Sequence, residues 1–269
     1  NFAKATDIMM IGYRFSDKFK LEGGKLCQTW GGFEYDENPL HIYEFSELAG
    51  ALDIYMAGVI ATCRPVPSQE LALGVTNSHN EKFNEVYGDN PMAVEADGTH
   101  TRALEKSHNP LTYIVNWNGS FLHDRLQTRW SWGLQGEACH KYSRMVFLGQ
   151  KLNLDRLQWY FDYMGEFDGL DRLGIATGDV APSVTGFSGR VWLSDVHYNS
   201  FVTKLNWQFA PQWNLMLKGA SEKVSVKKTE RLKNFRKSYS YIGSVEYYPV
   251  KSQDLRFFLA YIGRKVTYK

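Results

Sequence analysis

Apolar and polar side chains alternate along five separate stretches of this chain. A period of two commits each stretch to a β-strand with one greasy and one wet face. Leu111, Tyr113, Val115 and Trp117 alternate with Thr112, Asn116 and Asn118. Leu126, Thr128, Trp130, Trp132 and Leu134 stand opposite Gln127, Arg129, Ser131, Gly133 and Gln135. Leu157, Trp159, Phe161 and Tyr163 oppose Gln158, Asp162 and Glu166, while Phe201, Thr203, Leu205, Trp207 and Phe209 oppose Ser200, Lys204, Asn206 and Gln208. Near the end, Leu255, Phe257, Leu259 and Tyr261 oppose Arg256, Ala260 and Arg264.

The segments between strands are of two kinds. Short turns fall at 16–18, 65–68, 123–124, 153–155, 210–212 and 249–252, marked by Ser, Asp, Asn and Pro. Between them lie connections that are mostly longer, at 28–50, 79–109, 136–140, 166–196 and 223–237. Strict alternation of short and long predicts six hairpins, about twelve strands of roughly 9 to 13 residues, and all short turns at one end of the sheet. One helix is expected over Pro39 to Leu48, with Asn38 as N-cap and Pro39 at its first position. No repeat or linker divides the chain, so residues 1–269 read as a single domain.

Alternation alone does not say whether the apolar face meets lipid or a second sheet. Three features favour lipid. Strand number and length suit a membrane barrel, in which every backbone group must find a partner within the protein. Short turns at one end and long loops at the other are the asymmetry of outer-membrane barrels. Aromatic residues crowd the strand ends beside the short turns: Tyr13, Phe15, Phe19, Phe121, Phe209, Trp213, Tyr247, Tyr248 and Phe257. Rings there form a girdle at headgroup level. The mean hydropathy of −0.39 is compatible with a barrel of polar interior. The rival is a soluble two-sheet protein in which Trp130, Trp159 and Trp207 are sandwiched as core.

Several function classes drop out. A net charge of +2 supplies no field for nucleic acid. Cys27, Cys63 and Cys139 are widely spaced, with no C-x-x-C, and read as free thiols. The seven histidines form no H-E-x-x-H pair, and no cofactor motif is present. Ser194, Asp195, His197 and Ser200 offer the residue types of a triad, but Gly186-Phe187-Ser188-Gly189 is not a nucleophile elbow and no enzyme is read here. Glu166, Asp168 and Asp171 are three carboxylates within six residues, placed by this topology in an outer loop, where a divalent ion such as calcium is one reading. The basic stretch from Lys223 to Lys237, including Lys227, Lys228, Arg231, Lys233 and Arg236, is expected in another outer loop, facing phosphates of lipopolysaccharide or an anionic solute.

The runs GYRFSDKFKLEGGKLCQTWGGFEYDENPLHIYEFSE, NWNGSF, DRLQWYFDYMGEFDGLDRLG and VEYYPVKSQDLRFFLAYIGR resemble the phosphate-selective porin O and P family in its Bacteroidota-type version. The resemblance covers most of the chain. It implies an all-β, transmembrane antiparallel barrel of sixteen strands, a third external loop folded inward to narrow the pore, and the outer membrane of a Gram-negative bacterium. On that template three strands precede the one ending at Phe15 and one follows Lys269, which makes this chain a piece of a larger barrel. Trimers are common in the family. The implied partners are outer-membrane lipid and lipopolysaccharide, small solutes or ions, and a homotrimer or larger outer-membrane complex.

With Trp, Leu and Phe turned to lipid, the lumen wall would carry Lys20, Glu22, Arg129, Arg144, Asp162, Lys204, Lys218, Glu222, Glu246, Arg256 and Arg264, seven basic and four acidic. The constriction loop of the family falls at 28–50, where Glu34, Asp36, Glu37, Glu44 and Glu47 accompany His41 without a Lys or Arg after residue 28. That departs from the basic constriction the family name implies. An acidic loop facing a basic wall across water sets up a transverse field, the logic of a general diffusion porin with weak ion selectivity. The alternative is a non-conducting barrel that serves as a structural component of an outer-membrane assembly.

Overall fold

Each long alternating run becomes a strand of one antiparallel meander. The computed structural model describes residues 6–95, 100–180, 191–226, 232–250 and 255–269. In chain order the strands are β1 (Met9–Ser16), β2 (Phe19–Cys27), β3 (Tyr55–Val66), β4 (Gln69–Asn77), the short β5 (Met92–Val94) and β6 (Thr101–Ala103), then β7 (Leu111–Phe121), β8 (Leu126–Ala138), β9 (Lys141–Asn153), β10 (Leu157–Leu170), β11 (Val191–Ala210), β12 (Trp213–Val226), β13 (Arg236–Tyr247) and β14 (Phe257–Tyr268). Short helices α1 (Glu47–Ala51), α2 (Phe83–Tyr87) and α3 (Ile175–Val180) lie in the long connections. Apart from β5 and β6, each strand pairs with the next, giving a twelve-strand path. The small β5–β6 pair, which the alternation does not announce, docks parallel on the start of β11 through Val191, Trp192 and Leu193. β1 and β14 do not pair with each other, and β1 is exposed along its whole length.

The greasy face is outside. Trp130, Trp159 and Trp207 are 38%, 49% and 47% exposed, so no second sheet covers them. Leu71, Leu73, Tyr113, Val115, Trp132, Phe161, Phe201 and Leu217 are exposed with them. The other face is buried although it is polar: Thr112, Asn116, Ser131, Gln135, Asp162, Lys204, Lys218, Glu222 and Glu246 lie there. This inversion of the soluble pattern is what a barrel in hydrocarbon requires.

The connection from Gln28 to Ile54 covers the polar face. Gln28 bonds Thr76 on β4, Asp36 bonds Arg129 on β8, and Glu44 bonds Arg264 on β14. A single segment reaches all three only because the sheet curls around it. The girdle residues take the outer face beside the short turns. Phe15, Phe19, Phe121, Phe209, Trp213 and Phe257 are exposed, and Tyr247 stacks on Trp213 with ring centroids 4.7 Å apart.

Four expectations change. The helix over Pro39–Leu48 is instead a 3-10 turn at Pro39–His41 and the later α1. Asn38 does cap, accepting the Leu40 N–H. In the turn and just after it, carbonyls that a longer helix would use internally go to wall cations: Leu40 to Arg256, His41 to Lys204 and Glu44 to Lys218. Arg144 is not a lumen residue. It pairs with the outward-facing Phe167 of β10, because its neighbours Met145 and Phe147 are drawn inward against the loop. Glu166, Asp168 and Asp171 are not in a surface loop; all three are buried, the first two on the inner face of β10. The stretch 223–237 is shorter as a loop than expected, since β12 runs to Val226 and β13 begins at Arg236. Lys227, Lys228 and Arg231 lie outside the described residues, as do Gly186 to Gly189 and positions 251–252 of the last turn.

Candidate functional site: the loop seated against the inner wall

The sequence Thr29-Trp30-Gly31-Gly32-Phe33 brings the loop down onto β8 and β9. A Cβ at Gly31 would lie 2.7 Å from the Arg129 carbonyl oxygen and 2.8 Å from that of Phe147, so only glycine allows the backbones this close. Gly31 N–H donates to Ser131 Oγ (2.7 Å) and Gly32 N–H to the Arg129 carbonyl (3.0 Å). Trp30 packs over Gly133, where a side chain would collide with its ring, and stands 5.2 Å from Phe147. Phe33 stacks with Tyr160 at 6.1 Å while Arg129 and Lys151 lie over the Phe33 ring. Burial of these rings supplies the non-directional part of the attachment.

Charges supply the directional part, and they run both ways. From the loop, Asp36 accepts from Arg129 (2.8 Å), Glu37 from Lys204 (2.7 Å), Glu34 from Lys218 (2.5 Å) and Glu44 from Arg264 (2.5 Å). Glu47 takes both terminal nitrogens of Arg236, at 2.5 and 2.6 Å. From the wall, Asp162 accepts the N–H groups of Phe33 and Glu34 (2.8 and 2.9 Å), and Glu222 accepts those of Glu47 and Leu48 (both 2.9 Å), meeting the free amides at the start of α1. Glu246 receives Tyr43 and Arg256, and Arg256 also meets His41 Nδ1 at 3.0 Å. Lys20 and Glu22 pair with each other on β2, away from the loop. The expected field across a water gap is therefore replaced, at these positions, by direct contact.

Glu34 is the best-enclosed member. It is fully buried, takes Lys218 and also accepts the backbone N–H and hydroxyl of Ser46 at 2.7 and 2.6 Å. The Tyr43 phenol is pushed up to about 12, by burial first and by the Glu246 carboxylate it faces, so it stays a donor. Burial likewise raises Tyr35.

Between loop and wall, on the short-turn side, a cavity of about 860 Å³ remains. The loop contributes Asp36, Glu37, Asn38 and His41, and the wall Lys151, Arg156, Lys204 and a row of amides, Gln158, Asn206, Gln208 and Asn214. Lys151 and Arg236 were not among the lumen positions expected from sequence. Arg236 falls on the polar side of β13 and was signalled by parity, whereas Lys151 shares the inward side of β9 with Met145 and Phe147 and was not. The triad types do not assemble either: Ser194 and Ser200 are buried on the inner side, while His197 sits on the outer side against Phe167.

At the long-loop end a second buried polar group holds the outer connections. Glu137 accepts Tyr87 Oη (2.7 Å) and faces His79 (3.0 Å), and Arg172 lies 3.5 Å from Glu166 and 3.9 Å from Glu137. Burial lowers the Arg172 pKa and the carboxylates of Glu166, Glu137 and Asp168 more than reverse this, leaving it above its ordinary value. Asp171 accepts Gly174 N–H, Thr177 N–H and Tyr198 Oη, and its pKa is raised because burial outweighs these bonds. Among the described residues no group of His, Cys, Asp or Glu has the arrangement of a metal site.

A family model described as phosphate-selective porin O and P matches residues 1–269. Among solved structures, the outer membrane channel DcaP of Acinetobacter baumannii is similar at TM-score 0.58 and 11% identity, over 91% of this chain and 65% of that one. The chain thus spans just under two thirds of DcaP. A loop L8 deletion mutant of OmpT, an outer membrane protein of Vibrio cholerae, is similar at TM-score 0.56 and 10% identity, over 94% of this chain and 72% of that one. At these identities the likeness is one of fold. No curated protein matches the chain in sequence.

Proposed function

Because the chain belongs to the phosphate-selective porin O and P family, whose place is the outer membrane of Gram-negative bacteria, we propose that it passes small polar or charged solutes by passive diffusion, through a barrel narrowed by the loop 28–54. The observation that carries this reading is the cavity of about 860 Å³ left between the seated loop and the wall, where charged and amide side chains share the lining with aromatic and aliphatic ones. A plug meant only to seal would fill that space with apolar side chains, as it does around Trp30 and Phe147.

The barrel itself is completed by strands beyond the twelve of the meander. Open strand edges cannot face hydrocarbon, where an unpaired N–H or C=O has no partner, and the edges of β1 and β14 are open. Sixteen strands satisfy the family pattern, with the loop between β2 and β3 as the third external loop.

Selectivity is weak on this reading. The wall cations Arg129, Lys204, Lys218, Arg236 and Arg264 are each matched by a loop carboxylate, so the narrowed zone carries little net charge to favour anions. The test is a planar-bilayer recording on the full-length protein. Discrete current steps with reversal potentials near zero across a chloride or phosphate gradient are expected. A strong phosphate preference overturns the selectivity; a silent bilayer overturns conduction and favours a structural component of an outer-membrane assembly.

A further inference from the structure

The outer face of β12 reads, in steps of two, Trp213, Leu215, Leu217, Gly219, Ser221, Lys223. Ten residues separate Trp213 from Lys223, about 33 Å along a strand at ~3.3 Å per residue. Tilted by roughly 40°, that is about 25 Å of height, the thickness of the apolar band of such barrels. If Trp213 marks one interface, Lys223 therefore stands at the other, on the long-loop side.

It does not stand alone there. Strand register places Lys223 directly opposite Lys237 of β13, and Lys265 of β14 directly opposite Tyr239, two residues along from Lys237. Like charges facing each other across neighbouring strands are destabilising. Among the described residues, the outward neighbours around them are Asn199, Ser221, Ser225, Tyr239 and Thr267, none of them acidic. On the inner face Arg129, Lys204, Lys218, Arg236, Arg256 and Arg264 each meet a carboxylate, whereas no ion pair engages these three among the described residues.

The geometry points to a binding site for the phosphate groups of lipopolysaccharide on the lipid-facing surface of β12–β14, with Lys223, Lys237 and Lys265 as the charge and Tyr239 as a hydroxyl in their midst. Lipopolysaccharide is the anionic lipid of the leaflet that the long-loop end meets, and its phosphates lie at the level reached by these ammonium groups. The site rests on the outer-membrane location and is independent of whether the barrel conducts.

The test uses the full-length protein in detergent, stripped of lipid and titrated with purified lipopolysaccharide, with phosphatidylglycerol and with inorganic phosphate, binding being read by native mass spectrometry. At about 1 kcal/mol per basic residue near an anionic surface, the K223Q/K237Q/K265Q variant should lose roughly 100-fold in affinity. The K223R/K237R/K265R variant should retain it, and heat-modifiable gel migration reports that both variants fold. Equal lipopolysaccharide binding by wild type and the glutamine variant overturns the site. So does loss of binding in the arginine variant, or a wild type that takes inorganic phosphate or phosphatidylglycerol as tightly as lipopolysaccharide.

Discussion

The seam between loop and wall and the cluster beneath the outer loops both bury carboxylates, but they neutralise them differently. Along the seam the loop acids meet separate cations, Glu34 with Lys218, Glu37 with Lys204 and Glu47 with Arg236, and the wall acids Asp162 and Glu222 take backbone N–H groups. In the cluster Glu137, Glu166 and Asp168 share the single guanidinium of Arg172, with His79 beside Glu137. Among the described residues, neither oxygen of Asp168 has a hydrogen-bond donor. Paired charges can be edited one at a time, with local consequences. Shared ones fail together.

That contrast predicts the largest effect at Arg172. Arg172→Met leaves three buried carboxylates without their cation, a change of the kind that costs about 3–5 kcal/mol. Hydrogen exchange should rise sharply in 78–110 and 171–180, and those loops should become sensitive to protease, while 28–54 stays protected. Deprotection of 28–54 to the same degree would mean that the two regions are one unit.

Lys218→Met is the converse experiment. It strands Glu34, which keeps only the Ser46 donors, at a cost of about 3 kcal/mol. Exchange should now rise in 28–54 and not in the outer loops. Single-channel conductance should increase as the loop loosens, and an unchanged conductance would separate loop docking from pore width.

Much of this architecture was legible in the chain. The five alternating runs gave their strands, and the first five short turns fell where the hairpins close, because strand parity is a local property that survives in lipid with its faces reversed. Most of the loop's wall partners were legible for the same reason, whereas the inward fold of the acidic loop was implied by the family resemblance. Arg144 was not, since the parity of β9 is set by Met145 and Phe147, apolar residues turned inward only because Trp30 and Tyr35 of a distant segment cover them. The helix expected at Pro39–Leu48 failed on a tertiary competitor: wall cations take the carbonyls it would have used. Asp162 and Glu222 lie on the buried inner face, but nothing local reveals that a carboxylate's partners are backbone N–H groups more than a hundred residues away.

Tyr43 tests the seam by pH. Its folded pKa is raised to about 12, so its hydrogen bond to Glu246 contributes fully below the ordinary tyrosine value near 10 and is lost as pH rises through about 12. A difference titration of tyrosinate absorbance between wild type and Tyr43→Phe should isolate one late-ionising phenol, and the substitution should cost about 1 kcal/mol. A difference centred near pH 10 would show that Tyr43 is not held against Glu246.

The smallest effect belongs to the most exposed pair of the seam. Asp36 is half exposed and Arg129 a quarter exposed, so their attraction is screened by water and salt and contributes about 0–1 kcal/mol. Asp36→Asn should leave exchange in 28–54 unchanged within error, because the nearby contacts of Gly31, Gly32 and Trp30 with β8 and β9 do not use the carboxylate. What it does change is charge, since Asp36 lines the cavity and Arg129 then loses its partner carboxylate. The reversal potential should move slightly toward anions at low salt, and the shift should vanish as the Debye length contracts at high salt. A loop that undocks in this variant would show that the exposed end of the seam, and not the enclosed Glu34–Lys218 pair, holds the loop in place.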